Sequence, residues 1–167
     1  MKFFTITILC FLIIAACSTP EELIDEPVVV ESEDHLPEWY NANRVSSSDS
    51  THFSGYSMAT AADSLEAINL GNESAIVNLR FEIDKFAEEV REELDSEQHN
   101  TPQFIINLRN TVQELPLTDS RFEREFEMRD DDVIQVYTRA VLSRSEVIDR
   151  LSGNLTDQVY IRALQTN

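Results

Sequence analysis

An apolar stripe running from Leu65 to Leu94 constrains this chain more than any other feature of its sequence. Placed 100° apart, Leu65, Ile68, Ala75, Ile76, Leu79, Ile83, Phe86, Ala87, Val90 and Leu94 fall within an arc of about 120°. A helix of that length, apolar on one side, must lie against a sheet or another helix. Asp63 or Ser64 is placed to cap it, and Glu66 suits its first turn. Gly71 costs about 1 kcal/mol relative to alanine inside a helix, so the first two turns are expected to kink or separate. Arg80 with Asp84 and Lys85 with Glu89 are spaced as pairs on the polar sides.

A second, smaller stripe lies almost opposite the first: Leu70, Val77 and Phe81. A helix covering a sheet should be polar there. Either the segment around Trp39 or the C-terminal segment covers these residues, or they meet a subunit or partner. They are candidate interaction residues, and Trp39 is a fourth.

The other elements follow from local signals. Phe53–Ala59 alternates apolar and small residues as a strand does, and Gly55 within it suggests a bulge or a close backbone approach. The serines at 46–50 read as a polar stretch before it. Thr101 and Pro102 open a short helix that buries Phe104, Leu108 and Val112 and ends at Pro116. Phe122–Met128 and Val133–Leu142 read as an antiparallel hairpin turned by Asp130, Asp131 and Asp132. A last helix starts at Ser143 or Ser145, buries Val147, Ile148 and Leu151, and meets Gly153 as a C′ residue. The expected fold class is α+β: a small antiparallel sheet of about three strands, covered on one face by the long helix, with an extra short helix and a C-terminal helix.

The first residues are of another kind. Met1 and Lys2 precede the run Phe3–Ala16, which is apolar except for Thr5 and Thr7. It is shorter than the ~20 residues that span a bilayer and has the proportions of a secretory signal. Ile14-Ala15-Ala16-Cys17 then looks like the lipobox of bacterial lipoproteins. The expected organisation is a signal peptide at 1–16, an acylated Cys17 with an acidic tether to 35, and one domain at 36–167. Cys10 leaves with the signal, so the domain carries no disulfide and no thiol nucleophile. Acyl chains contribute about 0.8 kcal/mol per buried methylene, so two or more give a stable anchor. Ser18 after the cysteine points to the outer membrane, on its periplasmic or its surface-facing side, by resemblance to the sorting rule of enterobacterial lipoproteins.

Between Ser18 and Asn43 there are eight acids and no Lys or Arg, the composition of an extended, self-repelling tether. Val28-Val29-Val30 inside it is the one run able to pair as an edge strand. Loss of residues 1–16 removes Lys2 and no acid, so the formal charge of −18 becomes −19. Such a chain repels phosphate backbones, which argues against nucleic acid as a partner. Anionic lipid repels it too, so membrane residence rests on the lipid anchor.

Leu-Pro-Glu-Trp-Tyr (36–40), a Gly-Tyr strand, and a helix with Ala67, Gly71 and Ala75 spaced four apart, followed by Leu79, Ile83 and Val90, resemble the Lpp-twenty family of bacterial outer-membrane lipoproteins. The segment Val-Tyr-Thr-Arg-Ala-Val-Leu-Ser-Arg (136–144) fits the same pattern. The resemblance covers residues 36–155 and implies a dodecin-like fold, one helix across a three-stranded antiparallel sheet, with no catalytic residues. It implies a cell-envelope or surface protein. The serines at 46–50 and the helix after Gln98 depart from the family pattern.

Signals for chemistry are weak. His35, His52 and His99 stand alone, without metal-ligand spacing, and read as surface or loop residues. No Gly-x-Ser-x-Gly elbow occurs, and three glycines cannot build a phosphate loop. Asp130–Asp132 lacks the spaced ligands and the glycine of an EF-hand loop. Dodecins stack flavin on an aromatic of their sheet, which invites comparison with Trp39, but packing against the core accounts for a tryptophan that precedes the first strand. The expectation is a non-catalytic interaction or structural module with no cofactor and no metal, binding envelope proteins or itself. The alternative is a module that takes a small apolar or aromatic ligand in the helix–sheet crevice.

Overall fold

The computed structural model describes residues 36–129 and 133–167. The expected signal peptide, Cys17, the expected tether with Val28–Val30, His35 and the turn expected at Asp130–Asp132 lie outside the described residues. The elements run β1 (Ser46–Ser48), β2 (His52–Ala61), α1 (Ser64–Glu93), α2 (Pro102–Glu114), β3 (Arg121–Arg129), β4 (Val133–Ser143), α3 (Arg144–Asn154) and α4 (Gln158–Thr166).

The fold is α+β: an open antiparallel sheet of four strands, in the order β1-β2-β4-β3, packed on α1. The fourth strand beyond the expected three is β1, three serines pairing Ser46, Ser47 and Ser48 with Gly55, Ser54 and Phe53. Serine has little strand preference, and tertiary contacts hold these residues instead. Ser46 and Ser48 donate to the two oxygens of the buried Glu82 on α1 (2.7 and 3.0 Å), and Ser47 meets the Tyr56 hydroxyl at 2.9 Å. The sheet centre is β2 against β4, registered from His52↔Ser143 to Ala61↔Ile134.

Asp63 is the N-cap of α1, accepting from the Glu66 amide at 3.0 Å. The helix then runs unbroken through Gly71, which corrects the expected kink. A side chain at Gly71 would meet Thr138 Oγ1 at 2.6 Å, so its smallness serves close contact with β4. Gly55 does the same from the sheet: a Cβ there would lie 2.2 Å from Ala75 O and from Leu79 N. Gly55 is therefore a close approach and not a bulge, since the register with β4 is continuous across it.

The C-terminal half of α1 makes the core. Leu79, Ile83, Phe86, Ala87 and Val90 pack with Leu108 and Val112 of α2, Val147 and Leu151 of α3, and Tyr160 and Leu164 of α4. Thr101 caps α2 as expected, accepting from the Phe104 amide at 3.3 Å. At its other end Arg80 donates to the carbonyls of Val112 (2.6 Å), Gln113 (2.8 Å) and Leu115 (3.1 Å). Those are orphan acceptors of a helix terminus, so Arg80 is committed there instead of to Asp84. Lys85 does lie near Glu89, at 3.7 Å.

Two further expectations are corrected. Gly153 is an ordinary residue inside α3, with no positive φ, so it does not stop the helix. The chain instead continues past Leu155 into α4, whose N-cap Asp157 accepts from Val159 and Tyr160 (3.0 and 2.9 Å). The Tyr160 hydroxyl donates to Ala87 O at 2.6 Å and ties α4 to α1.

Candidate interaction surface

The N-terminal half of α1 is turned inside out in size. Its sheet-facing residues are Ala67, Gly71 and Ala75, all buried. Its large apolar residues point away: Leu70, Val77 and Phe81 are 44, 65 and 57% exposed. Leu65, expected on the core face, is exposed as well. The cause is the close approach just described. With Gly55 against the helix backbone and Ser57 Oγ donating to Gly71 O (2.7 Å), only small side chains fit beneath the first turns. Neither the Trp39 segment nor the C-terminal helices cover the second stripe.

The flank of α1 next to this stripe borders the outer edge of β2. Asn78 donates its side-chain amide to Tyr56 O at 2.7 Å, and the Tyr56 amide donates to Val45 O at 2.7 Å. Beyond these bonds β1 has ended, while β2 continues to Ala61. A concavity of about 250 Å³ opens here, lined by Val45, Met58, Ser74 and Asn78 among others.

Trp39, the fourth candidate, is not part of this surface. It lies on the opposite face of the sheet, stacked on Tyr56 with ring centres 6.3 Å apart, and its indole N–H donates to Glu125 Oε1 at 2.9 Å. Tyr40 packs on Tyr137 at 4.8 Å beside it. Burial raises both the Tyr40 and the Tyr137 phenol above the ordinary range. Trp39 thus serves as a cover for the sheet, with its polar atom satisfied inside the chain.

His52 is exposed, as expected, whereas His99 lies in the loop between α1 and α2 but is only 3% exposed, a buried loop residue. Phe104 packs edge-on against its ring at 4.8 Å and Tyr160 lies at 6.2 Å. Its Nε2 is 3.3 Å from Asp157 Oδ2, an ion-pair distance, although neither ring nitrogen meets hydrogen-bond geometry. The contact is best described as electrostatic proximity. Among the described residues no group of three His, Cys, Asp or Glu could hold a metal ion. The helix–sheet crevice is closed where Gly55 meets Ala75 and Leu79; one hollow lies at the sheet edge, and another of about 590 Å³ lies between the ends of β2 and β4 and the helices α3 and α4, lined by His52, Ser143, Ile148 and Gln165 among others.

Compared with known proteins, the chain matches no family model, no curated protein and no solved structure. Its surface must be interpreted from its own chemistry. What that surface offers is exposed apolar side chains next to strand backbone that has no backbone partner among the described residues. Sequence reading identified the stripe from its helical spacing; it missed the strand edge, because the length of β1 depends on Glu82 reaching back to two serines.

Proposed function

We propose that this chain is an envelope lipoprotein, acylated at Cys17 and held on the outer membrane by its lipid, whose domain is a non-catalytic interaction module. The reading of the anchor rests on Lys2, the apolar run to Ala16 and the lipobox-like Ile14–Cys17, and the resemblance to the Lpp-twenty family supports it. Among the described residues no helix is long and apolar enough to cross a membrane. Residues 36–167 hold 12 Lys and Arg against 24 Asp and Glu, a formal charge of −12 that disfavours nucleic acid and anionic lipid as partners of the domain.

The observation that carries the module reading is the exposure of Leu70, Val77 and Phe81 on one helix face. Scattered exposed apolar residues are ordinary, but aligned ones beside an open strand mark a contact site. A photo-crosslinking amino acid placed at Val77 in the intact cell should give adducts of discrete mass. The same probe at Gln103, exposed on α2, should give none. Equal labelling at both positions would remove the basis for this reading. The anchor is tested separately: Cys17→Ala should abolish palmitate labelling and leave an unprocessed precursor.

A further inference from the structure

We propose that the occupant of this surface is an extended segment of a partner protein, alternating apolar and basic residues, that adds as a strand to the open edge of β2 in line with β1. The inference rests on the interaction-module reading and names the partner's chemistry.

The edge is specific. On β2 the even-numbered residues turn their backbone groups toward the β1 side: His52 O accepts from Asp49 at 3.0 Å, and Tyr56 bonds Val45 and Asn78. The two-residue period of a strand directs the N–H and C=O of Met58 and Thr60 the same way. These groups have no backbone partner among the described residues. Edge strands are normally blunted by charge, proline or a bulge. The other edge of the sheet obeys that rule, because β3 carries Arg121, Glu123, Arg124, Glu125, Glu127 and Arg129. Met58-Ala59-Thr60-Ala61 carries none of these devices.

A strand laid there would turn alternate side chains toward Ser74 and Asn78, with Leu70 and Phe81 beyond them, and the others toward Val45 and Met58. Charge selects its composition. Arg44 lines the sheet-edge hollow but is held over the Tyr56 ring at 5.6 Å, and from Val45 to Leu79 there is no Lys or Arg, while Asp49, Asp63, Glu66 and Glu73 are present. A lysine- or arginine-bearing segment complements that surface, whereas a second copy would set acid against acid. The open stretch of β2 beyond β1 is short and suits a single added strand.

The test is fluorescence anisotropy with the purified full chain and a labelled peptide of alternating lysine and valine. Saturable binding is expected, weakened about tenfold or more when the peptide backbone is N-methylated or lysine is replaced by glutamate. Thr60→Pro should weaken it similarly with an unchanged circular-dichroism spectrum, because the amide it removes points away from β4. If that variant fails to fold, Phe81→Ser on the exposed stripe replaces it and should also weaken binding. An N-methylated peptide that binds equally well overturns strand addition, and a glutamate peptide that does so overturns the basic partner. Absence of saturable binding overturns the inference. If crosslinking at Val77 persists in that case, the interaction surface itself stands; if both fail, both readings fall. A discrete dimer in light scattering that Phe81→Ser dissociates would give the surface to a second copy and overturn the proposal.

Discussion

The two halves of α1 solve opposite packing problems with one continuous helix. Its C-terminal half is conventional, with Leu79, Ile83, Phe86 and Val90 buried and Lys85, Glu89, Glu92 and Glu93 in solvent. Its N-terminal half buries Ala67, Gly71 and Ala75 and leaves Leu70 and Val77 outside. One heptad shows the inversion at a single helical position: Val77 is 65% exposed, while Asp84, on nearly the same face, is partly buried with an unpartnered Oδ1. The difference teaches that large apolar side chains are buried by some turns of one helix and exposed by others. Where four elements converge, large side chains fill a core; where helix and sheet backbones touch, large side chains are left exposed.

The backbone contact of the N-terminal half is the place to break first. Gly55→Ala puts a Cβ where Ala75 O and Leu79 N each stand at 2.2 Å, and neither is a flexible group. Separating helix from sheet should cost about 3 kcal/mol or more. Urea unfolding followed by circular dichroism should show the loss, and a wild-type midpoint would mean that the halves do not differ as described. Leu79→Ala probes the conventional half. This fully buried side chain should cost about 3 kcal/mol through lost burial and a cavity, read from the same curves.

How much of this was legible in the sequence follows the same division. Signals written along the chain were readable: the Thr101-Pro102 start of α2, the β-branched run of β4 and the 3.6-residue period of α1. Features decided by tertiary distance were not. Gly71 reads as a weak point because helix propensity counts only the helix, and the proximity of Thr138 is invisible along the chain. Leu65 fits the core face by angle, yet α1 meets the sheet too closely at that end to bury it. β1 has no strand signal, since its pairing depends on Glu82. The short α4 supplies only Tyr160, Ile161 and Leu164, too few residues for a periodic pattern. The inward and outward faces of the candidate surface were separable by angle, whereas the placement of Trp39 on the far side of the sheet was not.

A smaller effect sharpens the comparison at Asp84. Burial, and secondarily the charge of Glu88, raise its carboxyl above the usual carboxylate range, with Arg109 opposing. Because the folded state holds this proton more tightly than the unfolded chain, its contribution is most favourable below the unfolded value of 3.8 and is lost as pH rises through the folded value. Asp84→Asn should therefore raise stability at pH 7 by about 0.5 kcal/mol, a figure reduced for partial solvent screening. The gain should shrink as pH falls toward 3.8. A gain independent of pH would show that the charge of Asp84 is not what its position costs.

The smallest effect on folding is expected where the residues look most hydrophobic. Val77→Ser and Phe81→Ser remove large apolar side chains that are 65 and 57% exposed, and such surface changes normally stay within about 0.5 kcal/mol. Each variant should keep the wild-type unfolding midpoint. Together they should remove the discrete crosslinks formed from a probe at Leu70, the third residue of the stripe. This separation of effects distinguishes a contact surface from a core residue, for which stability and contact are lost together. A loss above 1 kcal/mol in the isolated chain would mean that part of the same chain covers the stripe, and the N-terminal half of α1 would then be packed as conventionally as the other.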